Sequence, residues 1–297
     1  MTSCQPLQWT RISPILSEGC QVQPRSGASL AAIGNTVYLF GGQEPLTEFR
    51  FGDLKQLDTL SWSWSNTQLA SSAPAPPARH SHTLCSFADH GLLLYGGSGY
   101  TGTLSDAWLF NPGDKAWRRV EVTGSSPAPR EMHSAVMVAP SRMLVYGGRT
   151  SDGRVLCDAA VLDVSAGRWL AQEPTPFTRC AHASVMLPAN NSVLVFGGFS
   201  GESVLGDVLS IHPQSLEVEV MHGGRLGMAP AVGADKELTP APRFAHTAVG
   251  VPWPPASKAV PSPDQRMAML VFGGVSPGED LQDVAVWLPG DSSAAGT

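Results

Sequence analysis

The sequence has no run of eighteen or more apolar residues, the length a helix needs to cross a bilayer, so no membrane-spanning helix is expected. Its start, Met-Thr-Ser-Cys-Gln-Pro-Leu-Gln-Trp, carries neither the basic nor the apolar stretch of a secretory signal. Charge is scarce. Only 15% of the 297 residues are Asp, Glu, Lys or Arg, four of them are lysine, and the net charge is −6. Long helices and coiled coils are rich in Lys, Glu, Leu and Ala, and nucleic-acid binders show a basic stripe. Neither class is expected. Five cysteines (Cys4, Cys20, Cys85, Cys157, Cys180) form an odd set with no C-x-x-C pair. That excludes a zinc-ribbon spacing and predicts free thiols in a reducing, cytoplasmic compartment. G-x-S-x-G, P-loop and H-E-x-x-H motifs are all missing.

What is abundant is glycine and proline, 31 and 25 residues, without a triplet period, alongside 42% hydrophobic residues. Together they describe a core-forming chain cut by many turns. Gly-Gly ends five apolar runs, at Gly41-Gly42, Gly96-Gly97, Gly147-Gly148, Gly197-Gly198 and Gly273-Gly274, spaced by 55, 51, 50 and 76 residues. An aromatic precedes each pair: Phe40, Tyr95, Tyr146, Phe196 and Phe272. Upstream stands Arg25, Arg79, Arg130, Arg179 or Arg243. Three residues after the last four come His82, His133, His182 and His246, whereas the first repeat has Ala28. Downstream stands Asp53, Asp106, Asp158, Asp207 or Asp283. Eleven residues past the first three lie Trp64, Trp117 and Trp169, and past Asp207 lies Val218.

Each unit resolves into four short strands. In the third these are 134–138, 142–148, 158–164 and 168–172, rich in β-branched and aromatic residues and bounded by turns. Four strands per unit of about fifty residues predict an all-β propeller rather than a solenoid. Five glycine pairs predict five blades; a degenerate sixth within 219–242 is the alternative. The last unit stops after its third strand, while Trp9 precedes Arg25 by 16 residues much as Trp64 precedes Arg79 by 15. An N-terminal strand around residues 8–12 is therefore expected to complete the last blade. The domain is placed at 1–290, with a Pro-rich loop insertion at 251–265 and a disordered tail at 291–297. A monomer is expected.

The combined pattern, Arg-x-x-His, aromatic-Gly-Gly, Asp and Trp over residues 8–288, resembles the kelch-repeat family. That resemblance implies a β-propeller and a role in protein interaction. Within the family the chain is similar to kelch-only effectors of Rab GTPases in late-endosome-to-Golgi transport. The similarity rests on Pro127, Pro129, Arg130 and His133; on Pro240, Pro242, Arg243 and His246; on Val251-Pro252-Trp253-Pro254; and on Leu270 to Gly274, Glu279-Asp280 and Asp283 to Val286. It implies a GTP-bound Rab as partner and attachment to endosomal membranes through that partner. A substrate-recognition or adaptor subunit of another complex, such as a ubiquitin ligase, is the second reading.

Enzymes on kelch scaffolds are the third. Copper radical oxidases need tyrosine and histidine ligands, but three of the four tyrosines here (Tyr38, Tyr95, Tyr146) belong to the strand ends. Specifier proteins carry E-x-x-x-D-x-x-x-H, which Glu202, Asp207 and His212 miss by spacing. A sugar epimerase would need Glu131 and Arg130 at the channel. The four repeated histidines are read as packing residues and not as a metal set, because they sit on separate blades. No cofactor is expected. The arginines are expected to pair structurally with a neighbouring blade's carboxylate or carbonyl. Partner anchors are sought among the loops of one propeller face: Phe49, Arg50, Tyr100, Glu131, Arg149, Arg154, Phe199 and Phe244.

Overall fold

The computed structural model describes residues 12–70, 74–87, 91–222, 240–252 and 267–287. Apart from one 3-10 turn at Pro188–Asn190, every regular element among them is a β-strand. Five sheets stand around a channel as a five-bladed β-propeller, and two small hairpins, Ser98–Gly99 with Gly102–Thr103 and Val275–Ser276 with Glu279–Asp280, lie in its loops. The first blade comprises Ser29–Ile33, Thr36–Phe40, Leu54–Asp58 and Ser63–Asn66, with Ile15–Leu16 added in parallel along its outer edge. The second is Thr83–Phe87, Gly91–Tyr95, Ala107–Asn111 and Ala116–Arg119. The third is Ser134–Ala139, Arg142–Tyr146, Asp158–Asp163 and Arg168–Pro174. The fourth is Ala183–Leu187, Ser192–Phe199, Val204–Ile211 and Val218–His222. The fifth shows three strands, Thr247–Pro252, Met267–Phe272 and Val284–Trp287.

The fourth and fifth blades pack directly on each other, so no sixth blade lies between them and the 219–242 alternative is excluded. Val218–His222 is the fourth blade's outer strand, and 223–239 lie outside the described residues. The expected 251–265 loop begins two residues late. Val251 and Pro252 still pair with Ala268 and Met267, because an inner edge strand tolerates proline at its end. The rest of that loop, the expected closing strand at 8–11 with Trp9, and the expected tail at 291–297 lie outside the described residues. Among the described residues no helix is long and apolar enough to cross a membrane.

The repeat residues each have a mechanical role. In every pair the first glycine has φ between 60° and 65° and the second between 97° and 102°. A Cβ on Gly197 would lie 2.6 Å from the Arg243 carbonyl oxygen of the next blade. The arginines are buried beside that turn. Arg79 donates to the Gly96 carbonyl (2.9 Å) and to Asp106 (2.6 and 2.8 Å), and Arg130 to the Gly147 carbonyl (2.9 Å) and Asp158 (2.7 Å). Arg25, Arg179 and Arg243 do the same with Asp53, Asp207 and Asp283. This corrects the expected neighbour pairing: each guanidinium stays within its own blade, and only the arginine's carbonyl crosses. It accepts from Gly42, Gly97, Gly148 or Gly198 of the preceding blade at 2.8–2.9 Å.

The histidines pack across the same joints. His82, His133, His182 and His246 lie against Phe40, Tyr95, Tyr146 and Phe196 of the preceding blade, with ring centroids 5.2–5.4 Å apart. Trp117 and Trp169 fill the outer part of the joints, 5.4 Å from Phe40 and 5.5 Å from Tyr95. Among the described residues four apolar cores result, one between each consecutive pair of blades from first to fifth. Phe196 is 1% exposed inside the last of these, whereas its counterpart Phe272 on the fifth blade is 38% exposed. Phe196→Ala should therefore cost about 3–5 kcal/mol, the usual loss for a buried phenylalanine. Phe272→Ala should cost well under half as much, as read from urea-unfolding midpoints; equal losses would show that the fifth blade's outer face is sealed.

Candidate functional site

The chain reaches the channel mouth immediately after each buried arginine. Ser26, His80, Glu131, Cys180 and Phe244 bridge to Gln43, Ser98, Arg149, Phe199 and Val275, the residues directly after the glycine pairs. The following residue turns inward with positive φ: Gly27 at 63°, and Ser81, Met132, Ala181 and Ala245 at 52–54°. Non-glycine residues rarely adopt this conformation, and the reason for it here is a chain of main-chain hydrogen bonds between blades. The Ser81 N–H donates to Gly27, Met132 to Ser81, Ala181 to Met132 and Ala245 to Ala181, at 2.7–2.9 Å. The rim is thus fixed by backbone, and its side chains are free to differ.

They do differ. Between the second and third blades, Arg149 Nε donates to Glu131 Oε1 at 2.8 Å, and His80 Nδ1 stands 3.9 Å from Glu131 Oε2. Glu131 is buried, while the Arg149 side chain is 41% exposed and turns its charge to the mouth. Burial lowers the His80 pKa, Arg50 and Arg149 add to that, and Glu131 opposes it. Burial raises the Cys180 pKa on the neighbouring blade, which keeps it a thiol. Between the first two blades, the Arg50 guanidinium lies 5.0 Å from the Tyr100 ring centroid, and the Arg50 backbone N–H donates to the Tyr100 hydroxyl at 2.9 Å. Tyr100 is otherwise exposed. Between the last two blades, Phe199 and Phe244 lie 6.4 Å apart.

Six of the eight expected anchors therefore pair off around one mouth: Arg50 with Tyr100, Glu131 with Arg149, and Phe199 with Phe244. The other two do not join them. Phe49 is exposed and packs edge-on against Phe51 at 5.1 Å, with Arg25 3.8 Å over the Phe51 ring. Arg154 is exposed at the tip of the 149–155 hairpin, where its carbonyl accepts from Thr150. His80 and Cys180 are rim residues that the anchor search passed over. Their position directly after the repeat arginine was the available signal. Chemically, the mouth offers aromatic faces, an arginine over a ring and a buried carboxylate bonded to a partly exposed guanidinium. Among the described residues no group of three or more His, Cys, Asp or Glu side chains converges as a metal site would require.

A family model described as the KLHDC2/KLHL20/DRC7 Kelch-repeats domain matches residues 1–176 and 82–234. Adagio protein 3 of Arabidopsis thaliana is 30% identical over 272 residues, covering 85% of this chain and 40% of that protein. Kelch domain-containing protein 1 of Homo sapiens is 32% identical over 144 residues, 48% of this chain and 34% of that one. The Rab9 effector protein with kelch motifs of Mus musculus is 25% identical over 205 residues, 67% of this chain and 51% of that one. The chain thus spans about two fifths of the length of the Adagio protein it matches. None of these three relatives bears the name of an enzyme.

Proposed function

Because this chain belongs to the kelch-repeat β-propeller family and is a protein-interaction domain, we propose that its mouth captures a protein partner without chemistry, and that the partner is a GTP-bound Rab GTPase. The observation that carries the reading is the rim itself: a run of four main-chain hydrogen bonds across the five blades, with a different side chain on every blade. A catalytic site converges unlike groups on one point, whereas this rim spreads Tyr100, Arg149, Phe199 and Phe244 around an annulus, as a docking surface does. The Rab assignment rests on the similarity to the Rab9 effector, with location on endosomal membranes following from the partner. Switch surfaces of GTPases are partly apolar, which suits aromatic anchors flanked by arginines.

The test is a pull-down against a panel of Rab GTPases in both nucleotide states. Tyr100→Ala should weaken binding of the GTP-loaded partner about thirtyfold, equivalent to ~2 kcal/mol. Arg149→Glu should do the same, with thermal melting used to confirm that both variants remain folded. Equal binding of GDP and GTP forms, or no binding across the panel, would reject the Rab partner. The Adagio protein aligns over more of this chain than the Rab9 effector does, which favours a second reading, a recognition subunit of a larger assembly. A partner that is not a GTPase, lost with the same two substitutions, is its signature.

A further inference from the structure

The inner strands carry the chain from the rim to the opposite end of the channel, and there the blades stop being alike. Four residues past the histidine position stand Ala32, Ser86, Met137, Met186 and Gly250. One level of the channel thus has small residues on the first, second and fifth blades and methionines on the third and fourth. The Ser86 hydroxyl is engaged, donating to the Ala32 carbonyl at 2.7 Å. Met137 and Met186 are half-buried. Methionine is unbranched and polarizable, so its side chain moulds to whatever packs against it.

The third blade also departs from regular pairing at this end. Its inner strand bulges between Met137 and Ala139, with Val138 as the extra residue. Among the described residues the other four inner strands pair in unbroken register. A bulge re-aims a side chain, and bulges concentrate beside functional sites. Here Val138 and Ala139 form a wall common to two cavities. The inner cavity, of about 300 Å³, is bounded by the two methionines together with Pro140 and Pro188. The outer one, of about 130 Å³, runs past the exposed Leu170 to Arg142.

Arg142 is the one charged residue lining either cavity. Its side chain is 48% exposed, and Asp163 Oδ2 stands 3.8 Å from its Nε, too far for a hydrogen bond. Asp163 Oδ1 accepts from the Ala166 N–H at 2.9 Å instead. Among the described residues the Arg142 guanidinium makes no hydrogen bond. A guanidinium in that condition, at the open end of an apolar groove, is complementary to a carboxylate, which it can hold through two parallel bonds.

We propose that this groove is a second docking site, away from the arginine rim, for an extended segment of a protein partner. The segment carries, at alternate positions from the outer end inward, an acidic residue, a small apolar residue and a large apolar one. Alternate side chains of an extended chain point the same way, about 6.6 Å apart, so two of them can enter adjoining cavities that share one wall. The carboxylate meets Arg142, the small side chain fills the outer cavity, and the large one lies between Met137 and Met186.

The probes are two fluorescein-labelled peptides, Glu-Ser-Val-Ser-Phe and its reverse, Phe-Ser-Val-Ser-Glu, titrated with the full chain and followed by fluorescence anisotropy. One of them should bind saturably, and replacing its Phe by Ala or its Glu by Lys should weaken binding about tenfold or more. Arg142→Glu should invert the charge preference, so that the Lys peptide binds more tightly than the Glu peptide. Because Arg142 is half exposed, that inversion reads the contact and not the fold. Ala139→Trp, which fills the common wall, should abolish binding. Tyr100→Ala, at the other mouth, should leave it unchanged, which separates this site from the docking proposed there. The proposal is overturned if neither peptide binds saturably, or if the preference for Glu survives Arg142→Glu. A dimer in sedimentation that Ala139→Trp dissolves would overturn it in favour of a second copy of this chain.

Discussion

Acidifying the protein from pH 7 to pH 5 should strip away several kcal/mol of stability. Burial and the neighbouring repeat arginine lower the pKa of His82 to about 3 and of His246 to about 4, and hold His133 and His182 well below the ordinary value of 6.5. These rings are neutral in the folded chain and take a proton only when it unfolds. Their stabilisation is complete above the unfolded value near 6.5 and is lost as pH falls toward the folded value. Each group that protonates only on unfolding contributes a slope of about 1.4 kcal/mol per pH unit, so four give roughly 5 kcal/mol per unit below pH 6. A typical domain holds about 5–15 kcal/mol in total, which puts acid unfolding near pH 4–5. Burial raises the Asp106 carboxyl, but the Arg79 bond and charge outweigh it and hold it below the usual range. Its protonation adds a further loss only at still lower pH. Urea-unfolding midpoints at pH 7, 6 and 5 measure the slope, and His82→Phe should flatten it by about a quarter. A midpoint that stays constant from pH 7 to 5 would show that the rings take up protons in the folded state as readily as in the unfolded one.

Breaking one repeat ion pair is expected to be nearly as damaging. Arg130 is fully buried and donates to Ala128, Gly147 and Asp158. Arg130→Met leaves two carbonyls and a largely buried carboxylate behind, a loss of about 3–5 kcal/mol. The first blade provides the control. Asp53 is additionally held by the charged Lys55 at 3.1 Å, whereas Asp158 keeps the neutral Gln172 amide at 2.8 Å, so Arg25→Met leaves its carboxylate a charged partner and should cost clearly less. Adding Asp158→Leu to Arg130→Met should recover part of the loss, because removing both charges is less costly than stranding one. Identical melting temperatures for Arg25→Met and Arg130→Met would mean that the pairs act only as space-filling.

The propeller was legible because each repeat residue answers a local demand that recurs at a fixed phase. The glycines need positive φ, the arginine needs the aspartate, and the histidine needs an aromatic face. Sequence spacing cannot say on which blade a partner stands, which is why the arginine was expected to bond to a neighbour when Asp106 and Asp158 lie in its own sheet. The mouth was legible as a set of positions but not as a set of contacts. Tyr100 under Arg50 and His80 near Glu131 are separated by some fifty residues and meet only through the blade-to-blade rotation. Phe49 and Arg154 read as anchors by type and loop, yet their hairpins carry them away from the paired residues. The asymmetry of the fifth blade had two traces in sequence, the last unit's stop after its third strand and Ala28 in the slot where the other repeats carry histidine.

The run of main-chain hydrogen bonds at the mouth separates shape from identity. Since Gly27, Ser81, Met132, Ala181 and Ala245 are linked through their peptide groups, exchanging exposed side chains beside them leaves those links in place. Descendants of such a chain can acquire a new recognition pattern by drift at the half-buried His80 and Phe244, one position at a time, while the buried Glu131 and Cys180 stay in place.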